Sequence, residues 1–315
     1  MMNTTPLLSI CIPTYNRAAI LQNTLSRIVS YKSFDDEVEL VISDNCSTDS
    51  TQEACEAFAR QYGNVRYYRN DVNIHDRNFI NVLDKADGMY LKLMNDTCYP
   101  TEEGIAFMKN VIRAHRNTQQ PLFFTNGWAR PKEEDMIHCS NLDDYINHVS
   151  VMVTFNNLFG AWKQTWNALE QKEKFAALKL QQVDWTFEIV SKGGALIYNQ
   201  HILEITKELR KVVRQGYNYF EVLLDNYYKI MQGYADQNLV SQATIDKDKK
   251  HFLKHFRPEL FQALVCHTAR YWNYETSGTL SRLFRHYKHK PYFYLFLATL
   301  PFQWLFHASV RDFER

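Results

Sequence analysis

The sequence predicts an α/β protein: a mixed, mainly parallel sheet with helices on both faces, followed by a helical C-terminal region. Three observations carry this. Short apolar runs alternate with amphipathic segments through the first ~120 residues, the pattern of parallel strands joined by helical crossovers. Each apolar run closes on a polar cluster. From about Thr206 the chain turns mostly helical and rich in Tyr, Phe, His and Lys. Hydrophobic residues make up 45% of the 315, enough to fill a core. The expected division is 1–205 and 206–315.

The elements follow in order. Leu7–Pro13 ("LLSICIP") is a buried strand ended by Pro and "TYN". "AAILQNTLSRIVSY" has helical spacing, and Val38–Asn45 ("VELVISDN") is a second strand. "STDSTQEACEAFARQY" opens with Ser/Thr/Asp start signals and continues as a helix. "VRYYRN" is a third strand. "DRNFINVLDKADG" is a helix that Gly88 can stop, and "MYLKLMND" is a fourth strand. "TEEGIAFMKNVIRAH" is a helix with acids in its first turn. Further on, "VSVMVTFNN" reads as a strand, "LQQVDWTFEIVSKGG" as a helix stopped by Gly193-Gly194, and "ALIYN" as another strand.

In open sheets of this kind the ligand sits beyond the carboxyl ends of the strands. Thr14-Tyr15-Asn16, Ser43-Asp44-Asn45 and Asn95-Asp96-Thr97 therefore meet at one rim. No GxGxxG and no GxxxxGK[ST] follows any strand, which excludes dinucleotide and P-loop sites. With Lys plus Arg at 36 and Asp plus Glu at 35, the net charge of +1 gives no field for nucleic acid. The six cysteines form no CxxC pair, no His cluster has zinc spacing, and reduced cytosolic thiols are expected. The N-terminus lacks the charged and apolar regions of a secretory signal.

"SICIPTYNRAAILQNTL" followed by "VELVISDNCSTDSTQ" resembles the nucleotide-binding start of the family 2 glycosyltransferases with the GT-A (Rossmann-like) fold. Pro13, Tyr15 and Asn16 match P-x-Y-N. Asp44, Asn45, Ser47 and Asp49 match D-[DN]-x-S-x-D. The likeness runs over about residues 7–115, and again over about 180–230; its flavour is the abequosyltransferase-like group of O-antigen and capsule synthesis. It implies inverting transfer of a sugar from a nucleotide-diphosphate-sugar donor to an acceptor hydroxyl. It also implies donor binding by Pro13, Thr14, Tyr15, Asn16, Arg17, Asp44, Asn45, Asn73, Asn78, Asn95, Asp96 and Arg214. The competing reading of Asp44 and Asp49 is turn and helix-cap residues.

The family carries D-x-D or D-D-D after the fourth strand; here the residues are Asn95-Asp96-Thr97-Cys98, so at least one acid is missing. Mg²⁺ or Mn²⁺ is still implied, since one or two carboxylates plus substrate phosphates suffice for such ions. Asp96 would be a ligand, with His201 a further one or a proton partner; the plainer readings are that Asp96 caps the helix near Thr101 and that His201 is structural. "QQVDW" resembles the segment carrying the family's general base. Asp184 is the candidate base, Glu188 the fallback one turn on, and Trp185 a wall for the acceptor sugar. In "RKVVRQGYNYFEVLLDNY", Arg210 or Arg214 is placed to bind the diphosphate, or simply to lie on a solvated helix face. Arg214, Gly216, Tyr217 and Asn218 cluster at that helix's start.

In the tail, Arg282, Arg285, His286, Lys288, His289 and Lys290 precede the apolar, aromatic run Pro291–Ala308. At ~1.5 Å per residue this run reaches only ~27 Å, and Pro301 interrupts it. The expectation is a segment lying on the inner-membrane surface at its cytoplasmic face, beside a polyprenyl-linked glycan acceptor. A core helix or a dimer contact is the competing reading. Two other functions stay open: a sugar-phosphate or nucleotidyl transferase, and a non-catalytic relative with a degenerate metal motif.

Overall fold

The structure, a computed structural model, describes residues 5–206, 217–266, 270–271 and 274–302. The chain divides into two compact units, Met1–Leu209 and Arg210–Arg315.

The first unit begins with β1 (Leu8–Thr14), α1 (Ala18–Ser30), β2 (Val38–Asp44), α2 (Thr51–Gln61) and β3 (Val65–Arg69). It continues through α3 (Asn78–Asp84), β4 (Tyr90–Leu93), β5 (Cys98–Pro100), α4 (Glu102–His115), β6 (Leu122–Phe124) and β7 (Met136–Cys139). It closes with α5 (Leu142–Val149), β8 (Gly160–Trp162), α6 (Lys163–Ala168), α7 (Gln181–Ser191), β9 (Ala195–Tyr198) and β10 (Leu203–Ile205). The main sheet has the order β3-β2-β1-β4-β8, parallel throughout except for β8, which runs antiparallel to β4. A second sheet, β6-β9-β7, and a β5–β10 pair complete the unit.

Both faces of the main sheet are buried, which is why its strands read as continuous apolar runs. Leu8, Ile10, Ile12, Leu40 and Ile42 pack with Leu21, Leu25 and Ile28 of α1 and with Ile105, Met108 and Ile112 of α4. The alternate residues of β1 and β2 face the other way, toward α3, whose Val82 and Leu83 are buried. On that face buried Glu39 accepts from Ser9 Oγ (2.6 Å) and the Asp87 and Gly88 amides (2.6 and 3.1 Å), and pairs with Arg66.

Two local readings are corrected and a third holds. Gly88 does not stop a helix, since α3 ends at Asp84. It lets the chain press against β1, where a Cβ would lie 2.3 Å from Ser9 Oγ. The expected strand over 149–157 is absent: Val149 ends α5 and the chain goes on in 3₁₀ turns, Ser150–Thr154 and Asn156–Leu158, with Ser150 at φ +54° breaking any extended run. The edge strand follows them as β8. Gly194 does end α7, at φ +75° with its amide on the Val190 carbonyl (2.8 Å).

The second unit holds α8 (Tyr227–Ala235), preceded by a π-helical stretch Glu221–Asn226, then α9 (Gln242–His255), α10 (Arg257–Leu264), α11 (Thr279–Tyr287) and α12 (Pro291–Thr299). Asp225 gathers Arg282, Arg285 and His286 from α11. Among the described residues no helix is long and apolar enough to cross a membrane.

Candidate active site

The strand order reverses between β1 and β4. From β1 the chain moves outward to β2 and β3, then returns to lay β4 on the other side. A crevice opens at such a switch point, beyond the carboxyl ends of the strands. Here it is flanked by Thr14–Arg17 and Asn95–Thr97. Thr14 Oγ1 spans it, donating to Asp96 Oδ2 at 3.0 Å. Thr24 of α1 donates to the Asp96 carbonyl (3.2 Å). Asp96 does not cap α4; Thr101 does, its side chain accepting the Gly104 amide at 2.9 Å. Asn95 is held from the 3₁₀ turns, its amide donating to Asn157 Oδ1 (2.6 Å) and its Oδ1 accepting from Asn156 (3.4 Å).

Asp44 ends β2 at the same rim but is fully enclosed. Its Oδ1 accepts from the Ser47 amide and hydroxyl; its Oδ2 accepts from Tyr67 (2.8 Å) and lies 3.7 Å from Arg69 Nε. Its oxygens are thus occupied within the protein, and the carboxylate orders the turn whose Ser47 Oγ accepts the Asn16 amide (2.8 Å). Burial, and next the Asp44 carboxylate, push the Tyr67 phenol above its ordinary range, so it stays a donor. Asn16 sits in the left-handed region (φ +52°) and accepts the Thr48 amide. Asp49 accepts the Ala18 and Thr51 amides, tying together the starts of α1 and α2.

A frame of amides backs this edge. Asn45 accepts from the Ile74 amide and donates to Asn73 (both 2.8 Å). Asn78 is buried, exchanging hydrogen bonds with Ser43, and Asn70 and Asn81 close the network. Asn45, Asn73 and Asn78 thus hold the β2 and β3 ends to each other. Tyr15 is 42% exposed, and Pro13, Asn16 and Arg17 are half-buried, so the β1 loop presents the accessible groups. A cleft of about 330 Å³ lies beside the β3 end, lined among others by Arg69, Asn70 and Asn81.

The first turn of α7 is tied on two sides. Gln181 donates to the Asp76 carbonyl beyond β3, and Gln182 to the Thr154 carbonyl in the 3₁₀ turns (2.7 Å). Asp184 follows, 4% exposed, with Lys174 Nζ 3.9 Å away. Glu188 is one turn on and paired with Lys192 (2.7 Å). Trp185 does not wall a sugar site: it is buried against Trp166 and Phe159 and donates to the Lys172 carbonyl. The i to i+1 step of a helix turns it into the core. His201 is no partner of Asp96. In the β5–β10 ladder Ile205 opposes Cys98 and Leu203 opposes Pro100, so His201 lies past the far end, about 13 Å from Ile205 at ~3.3 Å per residue, and pairs with exposed Glu204.

Arg210, Arg214 and Gly216 lie outside the described residues. Asn218 accepts the Glu221 amide, as a helix-start residue does. Sequence reasoning missed Asn156, Asn157, Gln182 and Lys92; the last had a visible signal, a lysine within the apolar run "YLKLM". The group of Cys139, Asp144 and His148 also went unnoticed. Its ligand atoms lie within 4.8 Å of one another, but Asp144 Oδ2 already accepts from the Ser140 amide and hydroxyl.

The profile of Glycosyl transferase family 2 matches residues 9–178. Abequosyltransferase RfbV of Salmonella typhimurium (strain LT2) is 24% identical over 216 residues, 61% of this chain and 63% of that protein. Validoxylamine A glucosyltransferase of Streptomyces hygroscopicus subsp. jinggangensis is 43% identical over 53 residues, 17% of this chain and 13% of its own. The chain thus matches less than two thirds of the length of either relative. The crystal structure of S. aureus TarS 1-349 in complex with UDP aligns with a TM-score of 0.54 at 16% identity, covering 82% of this chain and 78% of that one, a likeness of fold.

Proposed function

The chain belongs to glycosyl transferase family 2 and has the GT-A architecture, and on that premise we propose that it transfers a sugar, with inversion, from a nucleotide-diphosphate sugar to a hydroxyl of a lipid-linked glycan. One observation carries this reading. A carboxylate oriented by Thr14 stands at the sheet's switch point, and the same 3₁₀ turns that hold its neighbour Asn95 also hold the helix start bearing Asp184. Two acids with separate tasks are thereby fixed to one frame. The 24% identical abequosyltransferase supports a role in surface polysaccharide synthesis.

In this reading the accessible β1 loop, Tyr15 to Arg17, grips the nucleotide, with the Asp44 turn and the asparagine frame behind it. Asp184 accepts the proton of the acceptor hydroxyl as its oxygen attacks the anomeric carbon. The bond to the nucleoside diphosphate breaks on the opposite face, and the diphosphate leaves with the electron pair. The oxygen ligands at the crevice, Asp96 with the Asn95 amide oxygen and Thr14 beside it, suit Mg²⁺ or Mn²⁺. When bound, such an ion neutralises charge on the leaving diphosphate.

The second unit supports a membrane-surface acceptor. Phe284 of α11 meets Phe293 and Tyr294 of α12 (centroids 5.3 and 6.5 Å apart), and Tyr294, Leu295 and Phe302 are at least half exposed. Exposed Lys288 and His289 adjoin this apolar patch. Residues 303–308 of the expected surface segment lie outside the described residues. A cytoplasmic enzyme resting on anionic head groups is the arrangement this supports.

The test is a panel of nucleotide sugars, assayed for hydrolysis and transfer with and without Mg²⁺ or Mn²⁺. Asp184→Asn should lose transfer by about 10²–10⁴-fold while still binding donor. Full transfer by that variant overturns the assignment of the base. No turnover or binding of any donor by the wild type would favour the non-catalytic alternative.

A further inference from the structure

Lys92 is out of place by ordinary energetics. It lies in β4 between Ile10 of β1 and Gly160 of β8, and it is fully buried. No carboxylate offsets that burial. An unpaired interior ammonium costs several kcal/mol, on the order of the penalty for any buried ion, where a Leu or Met would be stabilising. Its Nζ donates to the carbonyl of Asn157 and stands 5.9 Å from the Phe124 ring centroid.

Asn157 is the connection to the rim. It too is fully buried, and its Oδ1 accepts the Asn95 amide at 2.6 Å. Its Nδ2 has no hydrogen-bond partner, so the side chain is aimed for the sake of its oxygen. The flanking bonds agree: Asn156 donates to Asn95 Oδ1, and the Leu93 amide donates to the Phe159 carbonyl (3.2 Å). The chain of contacts runs from the ammonium to the 3₁₀ turn and on to the residue before Asp96.

We propose that Lys92 is a positioning residue: by anchoring Asn157 it fixes Asn95, and through it the direction in which the Asp96 carboxylate faces the donor diphosphate. This rests on Asp96 being the donor-side carboxylate. Lys92 is a buried donor long enough to reach from the strand to the irregular turn, and its nitrogen donates to the Asn157 carbonyl whether or not it carries a charge.

The test has two arms, both on the full chain. In the first, hydrogen exchange is measured for peptides covering 93–98 in the wild type, Lys92→Met, Asn157→Ala and Asn157→Asp. Exchange should be about ten-fold faster in Lys92→Met and Asn157→Ala, the value of one hydrogen bond. It should stay near wild type in Asn157→Asp, which keeps the acceptor oxygen, and peptides from α1 should not change. Unaltered protection of 93–98 in both Lys92→Met and Asn157→Ala overturns the proposal. In the second arm, donor hydrolysis is followed with UDP- and GDP-sugars and Mn²⁺. Lys92→Met should lower kcat roughly ten-fold or more. In an Asp96→Asn background it should cost nothing further, because positioning a missing carboxylate has no value. Additive losses overturn it. If Asp96→Asn alone is fully active, the reading of Asp96 falls, while the exchange arm still decides whether Lys92 holds the segment.

Discussion

Lys92→Met also makes a direct measurement of what the buried ammonium costs. Burial pulls the Lys92 pKa from the ordinary 10.5 down to about 7. The folded value is thus depressed below the unfolded one. Between pH 7 and about 10 the unfolded chain binds a proton that the folded chain does not. Stability therefore rises with pH across that window, by about 1.4 kcal/mol per pH unit. Below pH 7 the folded chain carries the charge and this gain is absent. Methionine has the length of the lysine stem and no charge, so its stability lacks this slope. Near pH 6 the variant should be the more stable protein by a few kcal/mol. The wild type should close that gap as pH rises, by an amount on the order of 5 kcal/mol over the full window. Urea unfolding of both chains from pH 6 to 9.5, followed by tryptophan fluorescence, reads the difference. Parallel stability curves would show that the lysine is not neutralised in the fold, and the reasoning would fail. A variant that is more stable and less active would separate the energetic cost of Lys92 from its use.

Thr14→Val removes the hydroxyl that orients Asp96 while keeping the shape. Donor hydrolysis should drop about ten-fold or more, the worth of one hydrogen bond to a charged group, with a stability loss no larger than that bond; an unaltered rate would mean the carboxylate is aimed by other contacts. Tyr67→Phe leaves buried Asp44 short of a donor and should lower unfolding free energy by about 1–3 kcal/mol in urea titrations. Gly88→Ala forces a methyl to within 2.8 Å of the Ser9 backbone nitrogen, and overpacking of this kind should cost about 1–3 kcal/mol in the same assay. Serine at both Tyr294 and Leu295 should reduce co-sedimentation with phosphatidylglycerol vesicles; equal partition would remove the case for the apolar patch.

The alternation of β1 to β4 with α1 to α4 was legible because both sheet faces are buried, which makes each strand an unbroken apolar run. The rim clusters followed from topology, and Asp96 and Asp184 were singled out as candidates by their resemblance to a family pattern. What escaped the sequence was set by tertiary contact. The strands β5, β6, β8 and β10 have three residues each, too few for a period to show. "VSVMV" alternates like a strand, yet Ser150 turns left-handed and the stretch coils into 3₁₀ turns. Trp185 looked like a sugar platform because aromatic identity is visible in a sequence and direction is not. Asp44 matched its motif and proved to be enclosed, since a motif names a residue without saying which neighbours occupy its oxygens.

The asparagine frame between the β2 and β3 ends has a consequence for how this protein answers its surroundings. Primary amides neither gain nor lose protons between pH 4 and 10, and neutral hydrogen bonds are little weakened by salt. That wall of the crevice should keep its shape through acid, alkali and brine. A profile of turnover against pH will then report the few ionising groups that face the reactants, undistorted by a scaffold shifting behind them.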